Sequence, residues 1–312
     1  MRYQWEGTLR SAQNYFKLKA LTLCKPQKST ECGDIMRIDT PKMTETTTAQ
    51  MDDAYANGAY IEGAENYPDQ WAKAAAEFRS TATAELDIPY GPSARERFDL
   101  FLPTGDPKGI FVFIHGGYWL DFDKSSWSHL AQGAVANGWA AMVPSYGLCP
   151  DVYITEITRQ IGASIDKAAS RIDGPIVLTG HSAGGHLAAR MICEGTPLAA
   201  ATAARITRSM GISGLYDLAP LMQTSMNKTL RINEVEAIRE SPAKKKPLPG
   251  AKFLAWVGSK ERPEFRRQSR ILCDAWSGAS VFYVEDEGRH HFDVFAGLSD
   301  PDSAIVKAAL GL

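Results

Sequence analysis

Ser182 stands in Gly180-His181-Ser182-Ala183-Gly184, a glycine-x-serine-x-glycine pattern with Gly185 directly behind it. A serine hydroxyl attacks a carbonyl only when the chain lifts it clear of its surroundings on a tight turn, and flanking glycines leave room for that backbone. The apolar run Pro175-Ile176-Val177-Leu178-Thr179 precedes the pattern, and Leu187-Ala188-Ala189-Arg190-Met191-Ile192 follows it and reads as helix. Strand, sharp turn and helix form the setting of a serine nucleophile. The helix start places N–H groups and a positive dipole end where negative charge develops during acyl transfer.

Such a serine needs donors for the oxyanion, a base, and an acid to orient the base. His115-Gly116-Gly117-Tyr118-Trp119, directly after the apolar run 110–114, resembles a His-Gly-Gly-Gly loop whose backbone N–H groups face a serine turn. Tyr118 replaces the third glycine, and its backbone N–H can still donate. The expected oxyanion hole is the N–H groups of Gly117, Tyr118 and Ala183, with Gly116 a lesser contributor.

Of the six histidines, His115 and His181 flank the two motifs and are expected to brace them by hydrogen bonding, while His129 and His186 fall in predicted helices. That leaves His290 and His291, in the loop Gly288-Arg289-His290-His291-Phe292-Asp293-Val294 between the last strand and the last helix. The acid should follow the preceding strand, which makes Glu261 in Ser259-Lys260-Glu261-Arg262-Pro263-Glu264 the leading candidate. Asp217 is the reserve, and Glu264 suits a helix start, where the dipole favours a carboxylate. Tyr118, Trp119 and Tyr216 offer an aromatic wall for an aryl leaving group; equally, they could fill the core.

These residues must be held by a sheet. Residues 81–89 and 95–102 alternate as two antiparallel strands around the turn Tyr90-Gly91-Pro92-Ser93. Continuous apolar runs then follow at 110–114, 140–143, 176–179, 206–212, 252–257 and 281–284. Helices are expected at 126–136, 154–172, 263–276 and 292–310, after a helix-rich lead-in over 52–79. Unbroken strands alternating with helices mean an α/β protein with a mainly parallel central sheet covered on both faces. Residues 215–249 are long for a connection and form a candidate cap or a surface excursion. Residues 1–42 differ from the rest and are expected to be a loosely ordered or non-native leader, with 43–312 a single domain.

The 312 residues are 44% hydrophobic and 22% charged, with a formal net charge of −2. That balance gives no electrostatic case for nucleic acid or an anionic membrane. No apolar run approaches a membrane span. The five cysteines are scattered and odd in number, which suits a reducing, cytoplasmic setting, and no metal-site pattern is present. No cofactor is expected. The partner is a small-molecule ester or amide substrate, and an oligomer is left open.

At family level, Gly180-His181-Ser182-Ala183-Gly184-Gly185 with the His-Gly-Gly loop resembles the α/β-hydrolase esterases. Narrower features are similar to the arylformamidase (kynurenine formamidase) group: His115-Gly116-Gly117-Tyr118-Trp119, Ser213-Gly214-Leu215-Tyr216-Asp217-Leu218, Pro263-Glu264-Phe265 and His291-Phe292-Asp293-Val294. The resemblance runs from about residue 90 to 298. It implies an α/β-hydrolase fold in which serine, acid and histidine follow in that order. The family histidine directly precedes phenylalanine, which selects His291. The family acid, typically aspartate, stands two residues before Pro-Glu-Phe, and here that position is Glu261. The implied activity is hydrolysis of a small carboxylic ester or an N-formyl aryl amide through an acyl-enzyme on Ser182. A general short-chain carboxylesterase or thioesterase, and a non-catalytic binding module of the same fold, are the alternatives.

Overall fold

The computed structural model describes residues 22–23 and 47–312. The expectation for residues 1–42 lies outside the described residues, apart from the two-residue strand β1 (Thr22–Leu23). The remaining strands are β2 (Ala84–Pro89), β3 (Arg97–Phe101), β4 (Ile110–Ile114), β5 (Ala140–Pro144), β6 (Ile176–His181), β7 (Ile206–Ile212), β8 (Lys252–Gly258) and β9 (Ser280–Asp286). They form one sheet in the order β1-β9-β8-β7-β6-β4-β5-β3-β2. Pairing is parallel from β5 through β4, β6, β7 and β8 to β9, and antiparallel for β2, β3 and β1 at the edges.

β4 and β6 are buried along their whole length, which explains their continuous apolar sequence. Alternate residues of β4 face opposite layers. Ile110, Val112 and Ile114 join one core, while Phe111 and Phe113 join the other with Trp127 and Phe295. Helices of seven residues or more are α1 (Thr48–Tyr55), α2 (Tyr67–Thr81), α3 (Ile154–Ala169), α4 (Ala183–Arg190), α5 (Glu234–Glu240), α6 (Pro263–Ala275) and α7 (Ala304–Leu310). In α3 the buried residues Ile154, Ile157, Ile161, Ile165 and Ala168 recur every three or four positions, the stripe that seats a helix on a sheet.

Two helical expectations are corrected. Residues 292–310 do not make one helix: a 3₁₀ turn at Ala296–Ser299 and an irregular stretch come before α7, since Gly297 and Pro301 interrupt helical propagation. Residues 126–136 divide into 3₁₀ turns and the short helix Gln132–Ala136.

The stretch 215–249 is pinned down. Leu215, Leu218, Leu221, Leu230 and Ala237 are buried. From α5, Glu236 accepts from the Thr155 N–H and hydroxyl, at 2.8 Å each. Glu240 takes the Arg190 guanidinium of α4 at 3.0 Å. α1 and the residues just after it pack on the start of α6, beyond the carboxyl end of β8. There Arg262 pairs with Asp53 at 2.5 Å, and the Tyr55 hydroxyl donates to Glu264 at 2.7 Å.

Candidate active site

Ser182 joins β6 to α4 with φ 55° and ψ −117°, a conformation that costs a non-glycine residue on the order of 1–3 kcal/mol. The surrounding fold enforces it. The Ser182 N–H donates to Ile212 O of β7 at 2.8 Å. A Cβ at Gly180 would meet Gly184 O at 2.2 Å, and one at Gly184 would meet Ile114 O at 2.0 Å. Both glycines are therefore required by close approach. Ser182 Oγ is buried and has no hydrogen-bond partner among the described residues.

Parallel pairing brings the second motif alongside, with Ile114 of β4 opposite Gly180 of β6. A Cβ on Gly116 would lie 3.0 Å from Ser182 Cβ, so the glycine loop runs directly against the serine. Gly117, Tyr118 and Trp119 all take positive φ, at 102°, 51° and 58°. Cys149 N–H holds Trp119 O at 2.8 Å, and the Tyr146 hydroxyl holds His115 O at 2.9 Å. The Gly117 and Tyr118 N–H groups donate to no backbone acceptor among the described residues. Ala183 opens α4, where an N–H has no intrahelical partner.

His291 and Glu261 meet from loops that follow β9 and β8. His291 Nδ1 lies 2.7 Å from Glu261 Oε2, and both residues are buried. A carboxylate only accepts, so Nδ1 carries the proton and Nε2 is left as the basic nitrogen. Glu261 Oε1 in turn accepts from the Gly258 N–H at 2.9 Å and from the Ser213 hydroxyl. The His291 ring packs on His181 and on Phe265, with centroids 4.5 Å apart in each case. It therefore sits beside the residue that immediately precedes Ser182.

His290 turns the other way: its Nε2 lies 3.2 Å from the Tyr67 hydroxyl. Asp217 faces Lys244 at 3.7 Å and caps its own turn. Glu264 sits in the first turn of α6 and binds Arg267.

In comparisons with known proteins, no protein-family model matches the chain. A provisionally named thioesterase from Silicibacter sp. TM1040, solved by crystallography, is 51% identical, covers 84% of this chain and 99% of its own, and superposes with a TM-score of 0.81. The chain belongs to the α/β-hydrolase esterases. This esterase resembles arylformamidases: the kynurenine formamidase of zebrafish, Danio rerio, is 29% identical over 245 residues, spanning 74% of this chain and 83% of the relative. Esterase B of Lactobacillus rhamnosis, at 18% identity and a TM-score of 0.59 over 78% of this chain and 91% of that one, shares the fold.

Several expectations for the esterase's site change on the structure. Trp119 and Tyr216 are fully buried, Trp119 edge-on to His186 and Tyr216 edge-on to Phe253. They fill the core, and of the three aromatics only Tyr118 keeps an exposed part. His115 braces its loop, stacking on Tyr146 at 4.2 Å with Nδ1 2.7 Å from Gly116 O. His181 packs between His291 and Phe295, and among the described residues its ring makes only a loose polar contact, with the His291 backbone. Burial, and then the nearby His291, hold it well below the usual imidazole range.

Ser213 and Asn57 carry no local sequence signal, and Tyr55 stands out only as one of the aromatics of the lead-in available for packing. Ser213 lies in the stretch 213–218 noted for its resemblance to the arylformamidases, but nothing local marks its hydroxyl as a partner of Glu261. Tyr55 and Asn57 reach the site only through tertiary packing, the Tyr118 hydroxyl donating to Tyr55 O at 2.7 Å. Among the described residues no cluster could hold a metal ion, and no helix is long and apolar enough to cross a membrane.

Proposed function

We propose that this esterase is a serine hydrolase that cleaves a small carboxylic ester or N-formyl aryl amide through an acyl-enzyme on Ser182. The observation that carries the reading is the buried Glu261–His291 pair, 2.7 Å long, with its imidazole packed on the residue before a strained serine. In the mechanism His291 Nε2 takes the Ser182 proton as Oγ bonds to the carbonyl carbon. The oxyanion is held by the N–H groups of Gly117, Tyr118 and Ala183. Collapse breaks the bond to the leaving oxygen or nitrogen, which receives the proton from His291. Water then attacks the acyl-enzyme with His291 as base, releasing the carboxylic acid and free Ser182.

The enclosed serine favours a small acyl group, and the resemblance to kynurenine formamidases favours formyl on an aryl amine. A thioester or short-chain ester is the second reading, favoured by the relative named as a thioesterase at 51% identity. A fluorophosphonate probe should label the protein, and Ser182→Ala should abolish labelling together with turnover. Comparing N-formylkynurenine with nitrophenyl acetate, nitrophenyl butyrate and an acyl thioester ranks the substrates. Labelling that survives in Ser182→Ala would end the proposal.

A further inference from the structure

Asn57 is a buried amide with an unused acceptor. It is 6% exposed and lies two residues beyond the end of α1, the helix that Tyr55 and Asp53 tie to Glu264 and Arg262 at the start of α6. On one side its neighbour Gly58 abuts the residue after His291: an added Cβ would lie 3.7 Å from Phe292 Cζ. On the other side Asn57 Nδ2 lies 3.4 Å from Tyr118 Oη. Tyr118 has one hydroxyl proton, and it goes to Tyr55 O at 2.7 Å. The tyrosine oxygen is thus the acceptor toward Asn57, which fixes the amide with its N–H toward Tyr118 and its Oδ1 turned away. Among the described residues that Oδ1 is buried and has no partner, as is true of Ser182 Oγ. Unpaired buried acceptors are rare and costly, and at a site they point to a ligand group that completes them.

The two substrate types differ at the scissile bond. An ester or thioester offers only acceptors there; a secondary amide offers an N–H as well. We infer that Asn57 Oδ1 accepts the N–H of the scissile amide and makes this site select an N-acyl aryl amine over the corresponding ester. The inference rests on the Ser182 hydrolase reading and names a specificity determinant within it. A held N–H restricts rotation of the leaving nitrogen while the C–N bond breaks and that nitrogen takes the proton from His291. An ester leaves the Asn57 acceptor unpaired, the circumstance in which sites built for a donor discriminate most strongly.

The test measures kcat and KM of the full chain, and of its Asn57→Leu and Asn57→Asp variants, on N-formylkynurenine and nitrophenyl acetate. Asn57→Leu should lower kcat/KM for the amide about tenfold to hundredfold more than for the ester. Asn57→Asp, which keeps an acceptor, should recover much of the amide preference. N-methylation of a formanilide removes the same hydrogen bond without altering the protein, and should cost a similar factor in the unmodified enzyme but little in Asn57→Leu. Equal losses on amide and ester, an unchanged ratio, or absence of formamide turnover by the unmodified enzyme overturns the role of Asn57. Fluorophosphonate labelling separates the two failures. A labelled Ser182 with an unchanged ratio removes Asn57 alone, whereas no labelling of any form removes the serine mechanism as well.

Discussion

Glu261 uses its two oxygens for different tasks. Oε2 meets His291 Nδ1 at 2.7 Å, and Oε1 is fixed by the Gly258 N–H at 2.9 Å and by Ser213 Oγ. A glutamate carries one more rotatable bond than an aspartate, and the two extra contacts remove that freedom. Under the proposed mechanism Glu261→Gln keeps the shape but can present an N–H to Nδ1, favouring the wrong tautomer. It should lower kcat by about 10³- to 10⁴-fold with a much smaller change in KM. Steady-state kinetics on nitrophenyl acetate checks this, and a loss below tenfold would remove Glu261 from the orienting role. At this scale the sequence is informative where chemistry is local. Ser182 is legible because glycine spacing and the strand–helix setting lie within one stretch, whereas the choice of His291 over His290 comes from the family resemblance and not from the residues themselves. Ser213 and Asn57 are silent because their partners, Glu261 and Tyr118, are distant in sequence.

Strand positions follow from this sequence more closely than helix positions do, for a physical reason. β4 and β7 occupy the expected residues 110–114 and 206–212, because a strand buried on both faces needs an unbroken apolar run. Helix ends depend on caps and tertiary contacts, and residues 292–310 show how glycine and proline override an apolar pattern. The role of 215–249 depended on contacts that no local pattern encodes. Arg190 and Glu240 are nearly fully buried, 3.0 Å apart, and tie α5 to the helix that carries Ser182. Glu240 also accepts from the Thr158 hydroxyl at 2.7 Å, and His186 Nε2 lies 2.6 Å from its backbone oxygen. Removing one charge strands the other in the interior. Glu240→Ala should therefore destabilise the fold by about 3–5 kcal/mol, whereas the double variant Arg190→Met, Glu240→Leu should recover much of that. Denaturant unfolding of the single and double variants decides it. A loss under about 1 kcal/mol in Glu240→Ala would show that α5 is held by its apolar face alone.

Taken over the whole molecule, four histidines are held neutral by burial. Burial pushes His115, His129 and His186 down to about 4 and holds His181 well below its ordinary range. In the unfolded chain each protonates near pH 6.5. Between about pH 6.5 and 4 the unfolded chain binds protons that the native protein refuses, so stability falls as pH is lowered through that window. Fully titrated, a deeply buried imidazole such as His115 or His186 contributes on the order of 3 kcal/mol to this loss. A carboxylate paired with arginine, such as Glu240, acts in the same direction but lower on the scale. Burial opposes the charge of Glu240, yet Arg190 wins and lowers its pKa below the usual 4.5, so its stabilising contribution is lost only below that value. The interval from pH 6.5 to 5 therefore belongs to the histidines. Thermal unfolding should give a Tm that declines steadily across this interval, with His129→Gln flattening the slope by about one proton. A Tm that stays level from pH 7 to 5, or a slope unchanged in His129→Gln, would mean that these imidazoles accept protons within the native fold.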